Sequence, residues 1–423
     1  MKWRKSKSRE GRPGGGLLKD FLNSAHPLYR LAGVVNWAKF EQQFGKFYAD
    51  EMGRPALATR LLVGLHYLKY LYDVSDEVVV ASWVENPYWQ YFCGAEYFTH
   101  KFPCDPTSRV KWRQRVGVEG SEPRLKESLA AAQREAVLTA TEIKHVNVDT
   151  TVQEKAIALP TDARLYHKAR QALVRIARGC NFKLRQSYVR LGKRALVNPG
   201  RYGAARQLKR ARRETRKLRT YLGRGLRNVE RGKLPLAAKQ TQVVSVARRI
   251  LAQQRTDHGK VYSVHAPEVE CLAKGKVSKR YEFGGKVPIV TTSRQGWIVG
   301  IDAAHDNPYD GATLKPALAQ VKRLAGTRPE EAFVDKGFRG QRYQPQGVAV
   351  YITGRRNLTP QLSKLLKRRA AIEPVIGHTK HDHGMDRNSL LGKIGDRINA
   401  MLSACAWNLK KLWRYWLMSL IGA

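Results

Sequence analysis

Apolar residues recur at intervals of three and four along the first third of the chain, which is the spacing of amphipathic helices. The pattern is clearest in LATRLLVGLHYLKYLYDVSDEVVVASWVEN, residues 57–86, where Ser75 stands at a position that favours a helix N-cap. A further helix start is predicted at residues 105–108. We therefore expect an all-α N-terminal domain over residues 17–140, preceded by a flexible basic tail at residues 1–16.

The spacing changes near Ile143 from helical periodicity to strict alternation. Valines face one side of this predicted strand, and Asn147 and Asp149 face the other. Strand-like and helical segments then alternate in the last part of the chain, which is typical of an α/β domain. We assign residues 141–160 and 256–423 to that domain.

Residues 161–255 differ from their surroundings in composition, with about 27 Lys and Arg against three acids. Apolar residues still recur at helical spacing between the cations, which predicts an α-helical basic insertion rather than an unstructured basic linker. The apolar positions are Leu208, Ala211, Leu218, Leu222 and Leu226. Arg212, Arg213 and Arg216 are candidate contacts to a phosphate backbone.

The whole chain carries a formal charge of +42, from 77 Lys and Arg against 35 Asp and Glu, so we expect a polyanionic partner. A membrane surface is the competing partner, but no run of about 18 apolar residues is present, and the N-terminus lacks the apolar segment of a signal peptide. Five scattered cysteines without a CxxC pair suit a reducing compartment. Nucleic acid inside a cell is the preferred partner.

The segment RVKWRQRVG, which includes Arg109 and Arg113, predicts a short basic helix. Two interpretations of this helix stay open, a DNA recognition helix that uses these two arginines and an ordinary solvated helix.

The stretch LLKRRAAIEPVIGHTKHDHG, residues 365–384, places one acid among bases. At about 100° per residue, a continuous helix would bring Arg369, Glu373 and Lys380 within roughly 40° of one another, and Gly377 would leave that face open to a polyanion. Pro374 is expected to kink or restart this helix. The alternative is a solvated helix with ordinary ion pairs.

Two more acids end strand-like runs, Asp149 after HVNV and Asp335 after EAFV. Together with Glu373 they form a set of three carboxylates that could converge on a divalent metal, and magnesium is a hard ion that binds such oxygens. The nearby histidines 378, 381 and 383 lack the spacing of a zinc site. Acids at positions 302, 306 and 310 are expected to cap turns and helices.

Several long motifs occur in a fixed order along the chain. They are GRPALATRLLVGLHYLKYLYDVSDE, PCDPTSRVKWRQRVG, VDTTVQEKAIALPTDARL, HAPEVECLAKGKVSKRYEFGGKV, HDNPYDGATL, FVDKGFRG and RRAAIEPVIGHTKHDHGMDRNSLLGKIGDRINAMLSACAWNLKKL. In these motifs the chain resembles bacterial insertion-sequence transposases of the DDE class, and within them the insertion-sequence-five branch.

The resemblance implies an RNase-H-like mixed sheet flanked by helices, with Asp149, Asp335 and Glu373 as the metal-binding and catalytic triad. Arg369 and Lys380 would be the R and K of the family's Y-R-E-K signature, whose Tyr is replaced here by Leu366. It also implies two Mg²⁺ ions in the active site, for which Mn²⁺ would substitute, and no small-molecule cofactor.

A transposase of this class would bind double-stranded DNA at the element's terminal inverted repeats and at the target. It would cut the 3′ strand ends and join them to target DNA, as a homo-oligomer in the bacterial cytoplasm at the nucleoid and without a membrane partner. The alternatives are a catalytically inactive DNA-binding protein derived from such an element and an RNA-binding protein.

Overall fold

The computed structural model describes residues 16–48, 56–273 and 280–421, with side chains up to residue 418. The described chain forms two compact units. The first contains the chain up to Gln153, together with Lys286–Ala304 and the residues from Pro308 onwards. The second contains Glu154–Gly285 and His305–Asn307. All but the last residue of the predicted N-terminal tail lies outside the described residues.

Helices fill the chain up to the first strand, as the apolar spacing predicts. They are α1 (Leu18–Phe21), α2 (Pro27–Val34), α3 (Trp37–Gly45), α4 (Thr59–Leu71), α5 (Asp76–Glu85), α6 (Pro87–Phe92), α7 (Thr107–Val116), α8 (Ser121–Arg134) and α9 (Ala140–Lys144). The side chain of Ser75 accepts a hydrogen bond from the Val78 N–H at 3.2 Å, which confirms the predicted N-cap of α5.

The remaining elements alternate between strands and helices. They are β1 (His145–Glu154), α10 (Asp162–Gly179), α11 (Val189–Ala204), α12 (Leu208–Arg231), α13 (Ala238–Ala252), β2 (Glu270–Ala273), β3 (Tyr281–Thr292), β4 (Ile298–Ile301), α14 (Asp310–Ala325), β5 (Glu331–Val334), β6 (Ala349–Ile352), α15 (Pro360–Arg368), α16 (Ile372–His381) and α17 (Gly392–Ile421). Short 3₁₀ turns lie at Lys336–Phe338, Gln341–Tyr343 and Arg369–Ala371.

The strands of the described chain form one mixed sheet in the order β2-β3-β1-β5-β6, with β4 paired to β3. β5 runs parallel to both β1 and β6, whereas β3 is antiparallel to β2 and β4. Helices and a mixed sheet together confirm the α/β class. The RNase-H-like topology and the domain boundaries stay predictions.

The long helix α17 joins the N-terminal helices to the sheet, because it packs against α4, α8 and β4. Its Asn408 side chain accepts from the Ile298 N–H at 3.0 Å and donates to the Ile298 carbonyl at 2.9 Å, which satisfies backbone groups of β4. Ile398, Leu402 and Leu409 of this helix are buried, but Ile394 is 58% exposed. One hydrophobic core therefore includes both the N-terminal helices and the sheet.

The second unit has its own core, formed largely by α10, α12 and α13. Leu218, Leu222 and Leu226 are buried there, so α12 is an amphipathic helix as predicted. Leu208, at the start of the same helix, is 58% exposed and departs from the predicted apolar face.

The predicted basic helix is α7, but Arg109 and Arg113 do not lie on its exposed side. Their exposed fractions are 2% and 7%, and their guanidinium groups lie 3.4 and 3.0 Å from the carboxylate of Asp76. Burial alone would raise the pKa of Asp76, but Arg113 and Lys69 outweigh it and hold that pKa well below its ordinary value. The structure thus corrects the recognition-helix interpretation for these two arginines, which hold α7 against α5 and are not available to DNA.

Candidate active site on two parallel strands

Parallel pairing of β1 with β5 brings two of the predicted acids together. The register pairs His145 with Glu331 and Asn147 with Phe333, and the same offset continued by two residues sets Asp149 beside Asp335. β1 continues to Glu154, so Asp149 lies within the strand and does not end it as expected, whereas Asp335 directly follows β5. The two carboxylates are therefore neighbours on adjacent parallel strands.

Burial raises the pKa of Asp149 above its ordinary value, and the charge of Asp335 adds to this effect. The Thr150 N–H and the Arg369 guanidinium act in the opposite direction, because both stabilise the ionised carboxylate. Asp335 is itself fixed by its backbone neighbour, since its Oδ1 accepts from the Gly337 N–H at 2.8 Å. The carboxylates of Asp149 and Asp335 thus repel each other, and hydrogen bonds hold both of them in position.

Arg369 bridges the first and third predicted acids. Its Nη1 lies 3.0 Å from Asp149 Oδ2, and its Nη2 lies 3.7 Å from Glu373 Oε1. The side chain of Asp149 is 18% exposed, whereas that of Glu373 is 67% exposed. Arg369 consequently provides the positive charge between a half-buried acid and an acid that faces solvent.

The helix is interrupted in this region, as expected from Pro374, because the chain forms α15, a 3₁₀ turn at Arg369–Ala371 and then α16. Pro374 lies in the first turn of α16 and has no N–H to donate to the carbonyl four residues earlier, so the helix restarts there. The turn nevertheless keeps Arg369 and Glu373 in contact. Gly377 lies in α16 with open space where a Cβ would be, as expected, and Lys380 near the end of the helix is half-buried.

Asp310, for which the sequence predicts only a capping role, lies next to this site. Its Oδ1 accepts hydrogen bonds from Thr150 Oγ1 and Lys286 Nζ, each at 2.9 Å. Its Oδ2 and Asp335 Oδ1 both lie 3.0 Å from the point where a Cβ of Gly337 would be. The partners of Asp310 are distant in sequence, so no local pattern identifies it as a site residue.

The oxygen donors of Asp149 and Asp335 suit a hard divalent cation such as Mg²⁺, because such an ion prefers carboxylate oxygens. Asp149 and Asp335 form a repelling pair that such an ion would stabilise. Within the described ranges, no three His, Cys, Asp or Glu side chains lie close enough together to hold a metal ion. Glu373 would have to turn from its contact with Arg369 to join the other two acids, and its exposure leaves room for that movement.

The three nearby histidines do not share a partner. The Nδ1 atoms of His378 and His381 lie 2.8 and 3.3 Å from the carboxylates of Asp382 and Asp386, and that of His383 lies 3.0 Å from the Tyr70 carbonyl oxygen. Each of these histidines is therefore held by a different neighbour.

A second group of cations in the first unit lines a cavity of about 550 Å³. Its walls include Arg294, Lys410, Lys411 and Arg414. Burial and the charge of Arg414 lower the pKa of Lys410 and Lys411, so this cavity brings several positive charges close together.

In the second unit, Arg212, Arg213 and Arg216 of α12 are all exposed. Among the residues that the structure describes, no helix combines the length and apolarity required to span a membrane.

Comparison with known proteins gives two family matches. A family described as a transposase domain matches residues 17–115, and one described as a transposase DDE domain matches residues 348–413, which include Arg369, Glu373 and Lys380. A protein of Rhizobium meliloti named "Uncharacterized protein ORF8 in nfe locus" is 53% identical over 206 residues, which is 47% of this chain and 99% of that protein. No solved structure matches the chain.

The close approach at Gly337 predicts that Gly337→Ala destabilises the protein. A methyl group there would lie 3.0 Å from Asp310 Oδ2 and Asp335 Oδ1, and hydrogen bonds to the Oδ1 atoms hold both carboxylates, so we expect the free energy of unfolding to fall by roughly 1–3 kcal/mol. Gly377→Ala is the matched control, because it meets nothing within 4 Å and should stabilise α16 by about 0.5–1 kcal/mol. Denaturant unfolding measures both, and an unchanged stability for Gly337→Ala would mean that the carboxylates separate freely.

Proposed function

The chain belongs to the insertion-sequence DDE transposases, and on that basis we propose that it binds its element's terminal inverted repeats and catalyses metal-dependent strand cleavage and strand transfer. One observation carries the catalytic part of this proposal. Asp149 within β1 and Asp335 directly after β5 are neighbours on two parallel strands, and Arg369 links Asp149 to Glu373.

In this proposal Asp149, Asp335 and Glu373 are the residues that hold the divalent metal, with Mg²⁺ as the natural ion and Mn²⁺ as a substitute. Two such ions, when bound, would activate the attacking hydroxyl and stabilise charge on the phosphoryl and leaving oxygens. The antiparallel and parallel neighbours of β1 support an RNase-H-like topology for the sheet.

Arg369 has two tasks under this proposal. Its guanidinium lowers the pKa of Asp149 and so acts against burial and the charge of Asp335, which both raise that pKa. Once Glu373 turns towards the other acids, the Nη2 side of the guanidinium becomes available to a DNA phosphate, which suits its planar donor geometry. Lys380, on the same helix as Glu373, would contact the backbone of the same DNA.

Leu366 takes the place of the tyrosine in the family signature, so this member cannot donate a hydrogen bond to DNA from that position. We expect cations to supply the missing interaction. In the first unit, Arg369 contacts two of the acids and the basic cavity adds Arg294 and Arg414, and in the second unit the arginines of α12 are exposed.

The active complex is proposed to be a homo-oligomer, because transposition joins two element ends.

Substitution of the acids tests the reaction. Asp149→Asn, Asp335→Asn and Glu373→Gln should each abolish Mg²⁺-dependent nicking of a duplex that carries an element end, because each removes a charged metal ligand while keeping its shape. DNA affinity should stay within about three-fold, since cations dominate binding to phosphates. Gel-based nicking and fluorescence anisotropy measure the two properties.

Asp382→Asn is the control, because this carboxylate pairs with His378 at the end of α16 and should not alter nicking. Wild-type cleavage by any of the three variants would remove that residue from the proposed triad. DNA binding without nicks by the unsubstituted protein would instead favour a catalytically inactive, transposase-derived DNA-binding protein.

The exposed arginines of α12 test the interaction with DNA. Replacing Arg212, Arg213 and Arg216 together by Ala should weaken duplex binding and flatten the dependence of log affinity on log salt by about 0.9 for each phosphate that the variant no longer neutralises. Arg248→Ala is the matched control, because Arg248 lies in the same unit and pairs with Glu230 at 2.6 Å. An unchanged salt slope in the triple variant would show that this face of α12 does not contact DNA.

A further inference from the structure

The basic cavity of the first unit is lined by four cations and, among the residues that the structure describes, by no acid. Arg294 comes from the turn between β3 and β4, and Lys410, Lys411 and Arg414 come from the C-terminal half of α17. The rest of the lining is apolar, aromatic or uncharged, and the cavity volume is about 550 Å³. Nothing in this lining balances its positive charge.

The two lysines of the cavity lie against aromatic rings and not against carboxylates. Lys410 Nζ lies 4.0 Å from the centre of the Trp413 ring, and Lys411 Nζ lies 5.4 Å from the centre of the Trp297 ring. Within residues 16–48, 56–273 and 280–418, none of the four cations forms an ion pair with an acid. Cation–π contacts of this kind offset only part of the cost of removing an ammonium group from water.

The protonated lysines are destabilised as a result. Burial is the main cause that lowers the pKa of Lys410 and Lys411, and the charge of Arg414 lowers both further. Asp382 raises the pKa of Lys410 and Glu142 raises that of Lys411, but neither acid cancels the effect of burial. An anion bound in the cavity would stabilise both ammonium groups.

The cations of the cavity suit a phosphate group, and its indole rings do not offer a surface for a base. Trp297 and Trp407 are 0% and 8% exposed, so their faces are covered by protein. Arginine binds phosphate oxygens through paired N–H groups, and lysine binds them as a point charge. A terminal phosphate monoester carries roughly −1.5 to −2 charges at pH 7, so it gains more from four cations than a singly charged backbone phosphate does.

One turn of the chain connects this cavity with the acids of the candidate site. The Arg368 guanidinium donates to the Arg294 carbonyl at 2.9 Å, and the next residue, Arg369, lies 3.0 Å from Asp149 Oδ2. Under the proposed function, hydrolysis at the acids forms a bond from phosphorus to the water oxygen and breaks the bond to the 3′ oxygen, which takes up one water proton. The phosphate remains as a 5′-terminal monoester on the other product strand, and its remaining proton dissociates with a pKa near 6.

We propose that the basic cavity is a binding site for a phosphate dianion, and that its ligand is the 5′-terminal phosphate of a cleaved DNA strand. The choice of DNA as the source rests on the proposed function, because strand cleavage beside the cavity supplies such an end. Free inorganic phosphate has the same chemistry and is the other source. The exposed Arg294 and Arg414 contact the ligand from the solvent side, and the half-buried lysines neutralise it inside the cavity.

Fluorescence anisotropy with two nicked duplexes of one sequence tests this site without catalysis. One duplex carries a phosphate and the other a hydroxyl at the 5′ side of the nick, and EDTA removes divalent metal so that neither is cut. The full chain should bind the phosphate form about 5- to 10-fold more tightly, because the added dianion accepts several charge-assisted hydrogen bonds.

Lys410→Met and Arg414→Gln should each reduce this preference to about two-fold or less, because each removes a cation from the cavity. Lys322→Met is the matched control, since Lys322 is an exposed cation of α14 in the same unit and does not line the cavity. Its preference should equal that of the unsubstituted chain. Thermal unfolding identifies any loss of folding, and the exposed position of Arg414 makes its variant the safer of the two.

Inorganic phosphate, titrated into the full chain without DNA in a calorimeter, separates the two sources of the ligand. Phosphate binding that Arg414→Gln abolishes, together with equal affinities for the two duplexes, supports the anion site and overturns DNA as its source. Equal affinities without phosphate binding overturn the proposal, and so does a preference that both variants retain. Mg²⁺-dependent nicking without any preference leaves the proposed function intact, whereas failure to bind either duplex contradicts the proposed function itself.

Discussion

The parallel pairing of β1 with β5 is the constraint on which the candidate site depends. A shift of register by one residue would turn Asp149 away from Asp335, because successive side chains of a strand face opposite sides. The observed register sets the two carboxylates side by side, and burial together with their mutual repulsion raises the pKa of Asp149. The rest of the site is arranged so that this unfavourable pair persists, through the Thr150 N–H, the Gly337 N–H and Arg369.

Arg369 reaches Asp149 because the chain bends before α16. Pro374 prevents a continuous helix. The resulting 3₁₀ turn places Arg369 one turn before Glu373, with its side chain directed at Asp149 of β1. An uninterrupted helix would keep the ion pair between Arg369 and Glu373 but would not direct Arg369 towards β1. The break thus connects a helix whose acid faces solvent to a sheet whose acids are half-buried.

The sequence predicts those features whose cause is local. The end of β5 before Asp335, the cap at Ser75 and the amphipathic face of α12 are each visible within one segment, and the structure contains all of them. The expected strand end at Asp149 is wrong, because β1 continues to Glu154. Features that depend on distant partners are not visible in this way. Asp310 meets Thr150, Lys286 and Gly337 only after folding, and the positive charge of Arg109 and Arg113 gives no sign that both arginines are buried against Asp76.

Metal-directed cleavage of the polypeptide tests the central claim most directly, that three acids distant in sequence hold the same divalent ions. Fe²⁺ bound in place of Mg²⁺ reduces added H₂O₂ to hydroxide and a hydroxyl radical, with ascorbate regenerating Fe²⁺. The radicals cut the chain near the metal, and mass spectrometry locates the cuts. The account predicts cuts beside Asp149, Asp335 and Glu373 that excess Mg²⁺ suppresses together. Cuts confined to other segments, such as the histidines at 378–383, or cuts that Mg²⁺ does not suppress, would contradict it.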